Sequence, residues 1–325
     1  MHNIQQGFSP VMQRTLRSTI CYVGIGLHSG HKVSMRVRPA EENTGISFIR
    51  KDVPQGQGLV QPRWYNVVDT QMCTVIGNEY GTTISTVEHL MAALSGCGVD
   101  NAIVEIDGPE VPIMDGSSGP FVSLIERVGT TDQRAERRVI WIQRPLAVRA
   151  GEKFALLMPA DSPRITVSIN FPGSAVRSQT LSVELVNEAF RRDVARARTF
   201  GFADQIERLR KNGLIKGGSL RNAVLVDGER IVNEEGLRFQ DEFVRHKILD
   251  CMGDLALAGV PIIGHLYTYK PGHELNNALM HKLFDSVSAW SYLAYSDWQR
   301  LLGQGETPAA STALELDEHE SYANS

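Results

Sequence analysis

The chain begins the same way twice, and this repetition constrains its fold more than any other feature. Leu27–Ala40 reads LHSGHKVSMRVRPA and Val148–Ala160 reads VRAGEKFALLMPA. Each has a Gly turn, a Lys two residues later, an apolar run of strand length and a Pro-Ala stop. Gly30 to Gly151 and Lys32 to Lys153 are both shifts of 121 residues, and Pro39 to Pro159 is one of 120. Each half then carries a helix-like run that ends in Gly-Val and leads into a strand-like one: HLMAALSGCGVDNAIVEI from His89 and HKILDCMGDLALAGVPIIGHLYTY from His246. Two unrelated strand-then-helix segments are the plain alternative; duplication of one α+β unit is the reading adopted. A length of 325 residues at 42% hydrophobic and 22% charged suits two cored domains and excludes a disordered or disulfide-stapled chain. The polar stretch Thr130–Arg138 divides them, giving an N-terminal domain over 1–130, a linker over 131–138 and a C-terminal domain over 139–302.

Duplication makes a second prediction. His89 to His246 is a shift of 157, so the second half should hold about 36 residues more before its helix. The block Ala197–Asn233 supplies them: a short amphipathic helix with Ile206 and Leu209, stopped at Asn212-Gly213, then a strand pair turning at Asp227-Gly228. A β-α-β insertion over about 197–233 on a duplicated scaffold is a place to build a site.

Charge and cysteine usage narrow the partners. The formal charge is −4, but Glu306, Glu315, Asp317, Glu318 and Glu320 lie in the last 20 residues with no Lys or Arg among them. The near-neutral remainder gives no reason to expect nucleic acid as a partner. The tail 303–325, rich in Ala, Ser, Thr and acidic residues, is read as disordered. Cys21, Cys73, Cys97 and Cys251 form no CxxC pair, which fits reduced thiols in a cytoplasm. No segment has the length or apolarity of a bilayer span or a signal peptide.

Three pieces carry chemistry. His246, Asp250 and Asp254 stand at i, i+4 and i+8, on one stripe of a helix, where His-x-x-x-Asp projects an imidazole and a carboxylate side by side. A solvated or salt-bridged His/Asp pair fits the same spacing. Glu88 precedes His89 in TTISTVEHLMAAL. Ser85-x-x-Glu88 reads equally as a capping box, which would leave Glu88 without chemistry; the functional reading is a third metal ligand, His89, beside a general base. His273 follows a Pro-Gly turn at the mouth of the next helix. It is either an ordinary loop or buried histidine, or a cationic partner for an oxyanion held by Asp254. No HExxH is present, and HxxEH fails because position 85 is Ser.

Together with VPIMDGSSGPF at 111–121, ARTFGF at 197–202, the GGS of Gly217–Ser219, LRFxDEFVRHKILDxxGDL from Leu237, GHxLNNAL from Gly272 and GIGLHSG at 24–30, these pieces form an ordered set. That set closely resembles the bacterial UDP-3-O-acyl-N-acetylglucosamine deacetylases, the amidases that commit Gram-negative cells to lipid A synthesis. The resemblance runs from about residue 14 to residue 300. It implies two two-layer sandwiches packed helix to helix, and a cytoplasmic enzyme, read as a monomer, that hydrolyses the acetamide of an acylated UDP-amino sugar.

By the same resemblance, His89, His246 and Asp250 hold one Zn²⁺ per chain, with Fe²⁺ tolerated by the same donors. Glu88 corresponds to the general base, His273 to the cationic oxyanion stabiliser with Asp254 as its orienting partner, Thr199 to a hydroxyl donor to the carbonyl oxygen, and Lys247 to a lysine near the substrate. Lys270 corresponds to a diphosphate contact. Met72, Cys73 and Thr74 match a segment bordering the site, and Phe200, Gly218, Ser219 and Leu220 are carried over as substrate contacts. The insertion corresponds to an apolar passage for the 3-hydroxyacyl chain, with Ile206, Leu209, Leu214, Ile215, Leu220 and Val224 as its apolar residues. Pro271, Gln71-Met72 and Leu220 depart from the common pattern and bear on substrate fit.

Overall fold

The computed structural model describes residues 10–304. It contains two five-stranded sheets of identical topology. In the first, the strands run in the spatial order Ile20–Ile25, Lys32–Pro39, Ala102–Ile106, Ile46–Arg50 and Leu59–Val60; in the second, Leu146–Ala150, Lys153–Met158, His265–Tyr269, Arg164–Phe171 and Arg177–Glu184. In each, the last strand in sequence is the central one, antiparallel to the second and parallel to the third. The duplication is therefore a property of the fold. The matched lysines, Lys32 and Lys153, open the second strand of their sheets, and the matched glycines sit in the turns before them with φ 68° and 59°. Gly151 occupies the first position of a two-residue hairpin loop, where a positive φ is needed and only glycine adopts it freely.

Six α-helices complete the described chain: α1 (Glu88–Gly96), α2 (Gly119–Val128), α3 (Ile206–Lys211), α4 (Glu242–Leu255), α5 (His273–Asp285) and α6 (Tyr295–Gly303). Each unit places one helix before its central strand, α1 or α4, and one after it, α2 or α5. Strand alternation turns Val33, Met35 and Val37 of the first sheet and Ile165, Val167 and Ile169 of the second inward, and these join α1 and α4 in one continuous core. α1 and α4 pack on each other between the sheets. Ala92 and Ala93 keep α1 slim, and Gly253 lets α4 approach it: a Cβ there would stand 2.1 Å from the Glu88 carbonyl oxygen.

The segment expected to be a linker is a strand. Thr130–Glu136 pairs antiparallel with Met12–Leu16, as Trp290–Ala294 pairs with Arg138–Ile142 in the second unit. Its polar composition reflects a ribbon of only two strands with few buried positions. The units thus meet at Arg137, which forks onto Asp100 at 2.7–3.2 Å. The predicted β-α-β insertion is present: Phe200–Phe202 runs parallel to Val224–Asp227, α3 lies between them, and Arg230–Ile231 closes the hairpin. A three-stranded sheet (Val67–Asp69, Val75–Gly77, Thr83–Ile84) occupies the corresponding place in the first unit. Gly303 of the expected tail ends α6, and residues 305–325 lie outside the described residues. No helix among the described residues is long and apolar enough to cross a membrane.

Candidate active site

α4 turns one stripe toward α1, and its stripe begins a turn earlier than the sequence reading, at Glu242, before His246, Asp250 and Asp254. All four are buried. His246 Nε2 lies 3.3 Å from Asp250 Oδ1, and His89 Nε2, from the first turn of α1, lies 3.7 Å from the same oxygen. One donor atom from each of these three side chains falls within 4.8 Å of the others. His246 Nδ1 is 3.0 Å from the Ala197 carbonyl oxygen, a bond it makes as donor, which leaves the Nε2 lone pair beside Asp250 Oδ1 for a shared cation. His89 Nδ1 is buried without a partner among the described residues. Burial drives the His246 pKa down to about 3, against the opposing Asp250 carboxylate, so the imidazole is neutral at physiological pH. Two imidazole nitrogens and one carboxylate make a donor set that fits a divalent metal.

Beside this cluster sits an acid–base group. Glu88 is the first residue of α1, yet the capping box does not form: Val87 is the N-cap and no side chain caps the helix. Ser85 is instead held in a bridge to Glu110, and the Glu88 carboxylate accepts a hydrogen bond from the Thr74 amide at 3.1 Å. Glu88 is 3% exposed, and burial pushes its pKa up, only partly countered by His273. His273, the first residue of α5, places Nδ1 2.8 Å from Asp254 Oδ2 and Nε2 3.9 Å from Glu88 Oε1. Burial alone would lower the His273 pKa, but the Asp254 carboxylate outweighs it and raises the value to about 10. Asp254 is itself fixed by the Thr74 hydroxyl at 2.5 Å and the Asn276 amide at 2.8 Å. The arrangement is a carboxylate of raised pKa facing an imidazolium.

A cavity of about 490 Å³ opens over both groups. Of the residues singled out from sequence, Met72, Glu88, His89, Thr199, Phe200, Gly218, Ser219, Leu220, His246, Lys247, Asp250 and His273 line it. Asp254 and Thr74 stand behind His273 and Glu88 and act through them. Cys73 is buried outside the lining, its thiol pushed up by burial and by Glu88, which leaves it inert. Lys247 reaches Asp250 at 2.9 Å and lies over the Phe200 ring. Lys270 pairs with exposed Glu152 at 2.9 Å and does not line the cavity. In the insertion Ile206, Leu209, Ile215, Leu220 and Val224 line the cavity and Leu214 does not.

Several lining residues escaped the sequence reading. His28 of GIGLHSG is 8% exposed with neither ring nitrogen bonded among the described residues, and burial lowers its pKa. Its loop is fixed by the buried Glu110 carboxylate, which accepts from the His28 and Ser29 amides at 2.8 Å and from the Thr86 hydroxyl. Lys153 and Arg210 add cationic side chains to the lining. The GIGLHSG block and the repeated Gly-x-Lys start that ends at Lys153 carried a signal, and neither had an assigned role in the site.

The family model for the UDP-3-O-acyl N-acetylglycosamine deacetylases (LpxC) matches residues 13–285. A UDP-3-O-acyl-N-acetylglucosamine deacetylase of Idiomarina loihiensis is 48% identical over 292 residues, covering 89% of this chain and 95% of that one. Proteins of the same name from Syntrophus aciditrophicus (45% over 292 residues; 90% of this chain, 92% of that one) and Acidithiobacillus ferrooxidans (46% over 289; 88% and 94%) are similarly alike. Matched over most of its length by family model and relatives alike, the chain belongs to the UDP-3-O-acyl N-acetylglycosamine deacetylase family, a family of hydrolytic metalloenzymes.

Proposed function

We propose that the chain hydrolyses the N-acetyl group of a UDP-3-O-(3-hydroxyacyl)-N-acetylglucosamine with Zn²⁺ held by His89, His246 and Asp250, releasing acetate and the free amine. This is the reaction by which the family commits its substrate to lipid A. The observation that carries the proposal is the convergence of three buried donor atoms within 4.8 Å beside the facing Glu88 and His273. Bound there, the metal supplies a Lewis acid that polarises the amide carbonyl and makes water nucleophilic near neutral pH.

The side chains divide the remaining work. Glu88 takes the proton of the attacking water at its carboxylate, and its raised pKa makes it a stronger base than an exposed glutamate. His273 is held as a cation by Asp254, which leaves Nε2–H directed away from that bond, toward Glu88 and the cavity. From there it stabilises the oxyanion and gives a proton to the leaving amine. Thr199 donates its hydroxyl to the carbonyl oxygen. Lys247, held on Asp250 at 2.9 Å, supplies positive charge beside the substrate. Ile206, Leu209 and Ile215 receive the acyl chain in a water-poor wall of the cavity. Fe²⁺ suits the same donor set.

Metal analysis of the purified chain, with acetate release from the acylated UDP sugar, tests this reading. About one divalent ion per chain and acetate formation dependent on it are expected; a protein that binds no divalent metal and releases no acetate would sink it. A panel of acylated and non-acylated nucleotide sugars separates this substrate from another acylated sugar.

A further inference from the structure

His246 takes its orientation from a backbone carbonyl, that of Ala197, and the next residue explains why the carbonyl stays where it is. Arg198 is 2% exposed and lies between Ala197 and Thr199. Its side chain and amide meet the Glu242 carboxylate: N to Oε1 at 3.0 Å, Nε to Oε1 at 2.9 Å and an Nη to Oε2 at 3.2 Å. Its remaining donors reach Glu235 and the Gly236 carbonyl, both at 2.7 Å. Glu242 is 0% exposed and also accepts from the Arg238 amide. Glu242 stands one helical turn before His246 on the same stripe of α4. One end of this pair is thus rigidly part of the helix that carries two proposed metal ligands. The other end is the backbone that orients His246 on one side and carries Thr199 on the other, where the Thr199 amide and carbonyl are tied to Gly116 and Val224.

We infer that Arg198 and Glu242 are positioning residues that fix, through one buried fork, both the ring of His246 and the placement of the Thr199 hydroxyl. The inference rests on the proposed metal site. A buried, fully hydrogen-bonded ion pair confers little net stability over an apolar pair, but it holds geometry tightly because its planar fork allows one arrangement. Partners that orient a metal-binding histidine commonly set metal affinity by 10–100-fold.

The test uses the full chain, measuring zinc affinity by competition with a chromophoric chelator and the absorption spectrum of the Co²⁺-substituted protein. Arg198→Lys keeps the charge and loses the fork. It is expected to weaken zinc by about 10–100-fold, to alter the Co²⁺ spectrum and to lower kcat. Arg137→Lys breaks the comparable fork onto Asp100 at the junction of the units, away from the cavity, and controls for lost stability. Its zinc affinity and Co²⁺ spectrum should stay at wild-type values. Should Arg198→Lys fail to fold, the double variant Arg198→Met with Glu242→Leu leaves no buried charge unpaired and is read by the same two measurements. Wild-type zinc affinity and an unchanged spectrum in the Arg198 variants overturn the inference, as does an equal loss in Arg137→Lys. Absence of zinc binding by the wild-type chain is a different result, which removes the metal site itself.

Discussion

The two units share a strand order and use their equivalent helices differently. α1 has nine residues and contributes from its first turn: Glu88 and His89 are adjacent, so they point in different directions, one toward Thr74 and His273 and the other toward Asp250. α4 has fourteen residues and contributes along a stripe, so Glu242, His246, Asp250 and Asp254 succeed one another on one face. A duplicated scaffold builds an asymmetric site because one helix offers its end and the other its side. The division also separates roles. The proposed base and one proposed ligand come from the first unit, and the other proposed ligands with the fixing carboxylates come from the second.

The largest effect that would break this division is on turnover. Glu88→Gln should lower kcat by about 10²–10⁴ while the metal content stays near wild type. His89→Ala, its immediate neighbour, should lose metal along with activity. Metal analysis alongside acetate release distinguishes the two, and loss of metal in Glu88→Gln would show that the adjacent residues do not have separate jobs.

Next in size is the fit of α1 on α4. Gly96 and Gly253 stand at the same 157-residue offset as His89 and His246. A Cβ at Gly96 would meet the Phe190 ring at 2.0 Å, whereas one at Gly253 would meet the backbone carbonyl of Glu88 at 2.1 Å. Overpacking costs about 1–3 kcal/mol at either, but an aromatic ring can rotate and a helix backbone must move. Gly253→Ala should therefore lower both stability and kcat, and Gly96→Ala stability alone, as thermal unfolding and kinetics on the same samples would report.

Much of this is legible in the amino-acid sequence. The Gly-Lys starts marked equivalent strands because a tight turn needs glycine wherever it recurs, and the i, i+4, i+8 spacing placed His246, Asp250 and Asp254 on one face because helical geometry does so in any context. What stayed hidden depends on contacts distant in sequence. Arg198 lies 44 residues from Glu242, and Glu110 lies 82 from His28, so neither pair has a local pattern. Ser85-x-x-Glu88 satisfied the capping-box pattern, but the backbone hydrogen bonds of Ser85 with Pro109 and Val111 and the bond from the Thr74 amide to Glu88 took both residues elsewhere. Residues 131–138 read as a linker because the two-stranded ribbon that holds most of them buries little.

A smaller effect separates the second helices of the units. α5 begins with His273, whose pKa is raised to about 10, while α2 begins Gly119-Pro120 with no titratable group. A histidine whose folded pKa lies above its ordinary value of about 6.5 contributes stability that is complete below that value and is lost as pH rises through about 10. In the metal-free protein, the melting temperature of wild type should exceed that of His273→Gln by a few degrees at pH 6. The gap should close by pH 10. A constant gap across that range would mean that His273 is not held as a cation by Asp254.

The smallest effect concerns two segments that flank one cavity from opposite units, a smaller insertion in the first, the three-stranded sheet over 67–84 that carries Met72, and the β-α-β insertion of the second. Met72, from the first, is 48% exposed at the surface, whereas Ile206 and Leu209 of α3 line an apolar wall. A wall that buries the acyl chain discriminates by about 0.8 kcal/mol per methylene, which is about fourfold in kcat/KM for each carbon gained or lost. Leu209→Ala removes part of that wall and should flatten or lengthen the chain-length preference. Met72→Ala should change kcat/KM by a similar factor for every chain length, because an exposed side chain contributes contact without measuring length. Kinetics on substrates differing only in acyl length read this directly. If Met72→Ala reshapes the preference and Leu209→Ala does not, the acyl chain lies against the first insertion, and the extra residues of the second unit serve some other part of the substrate.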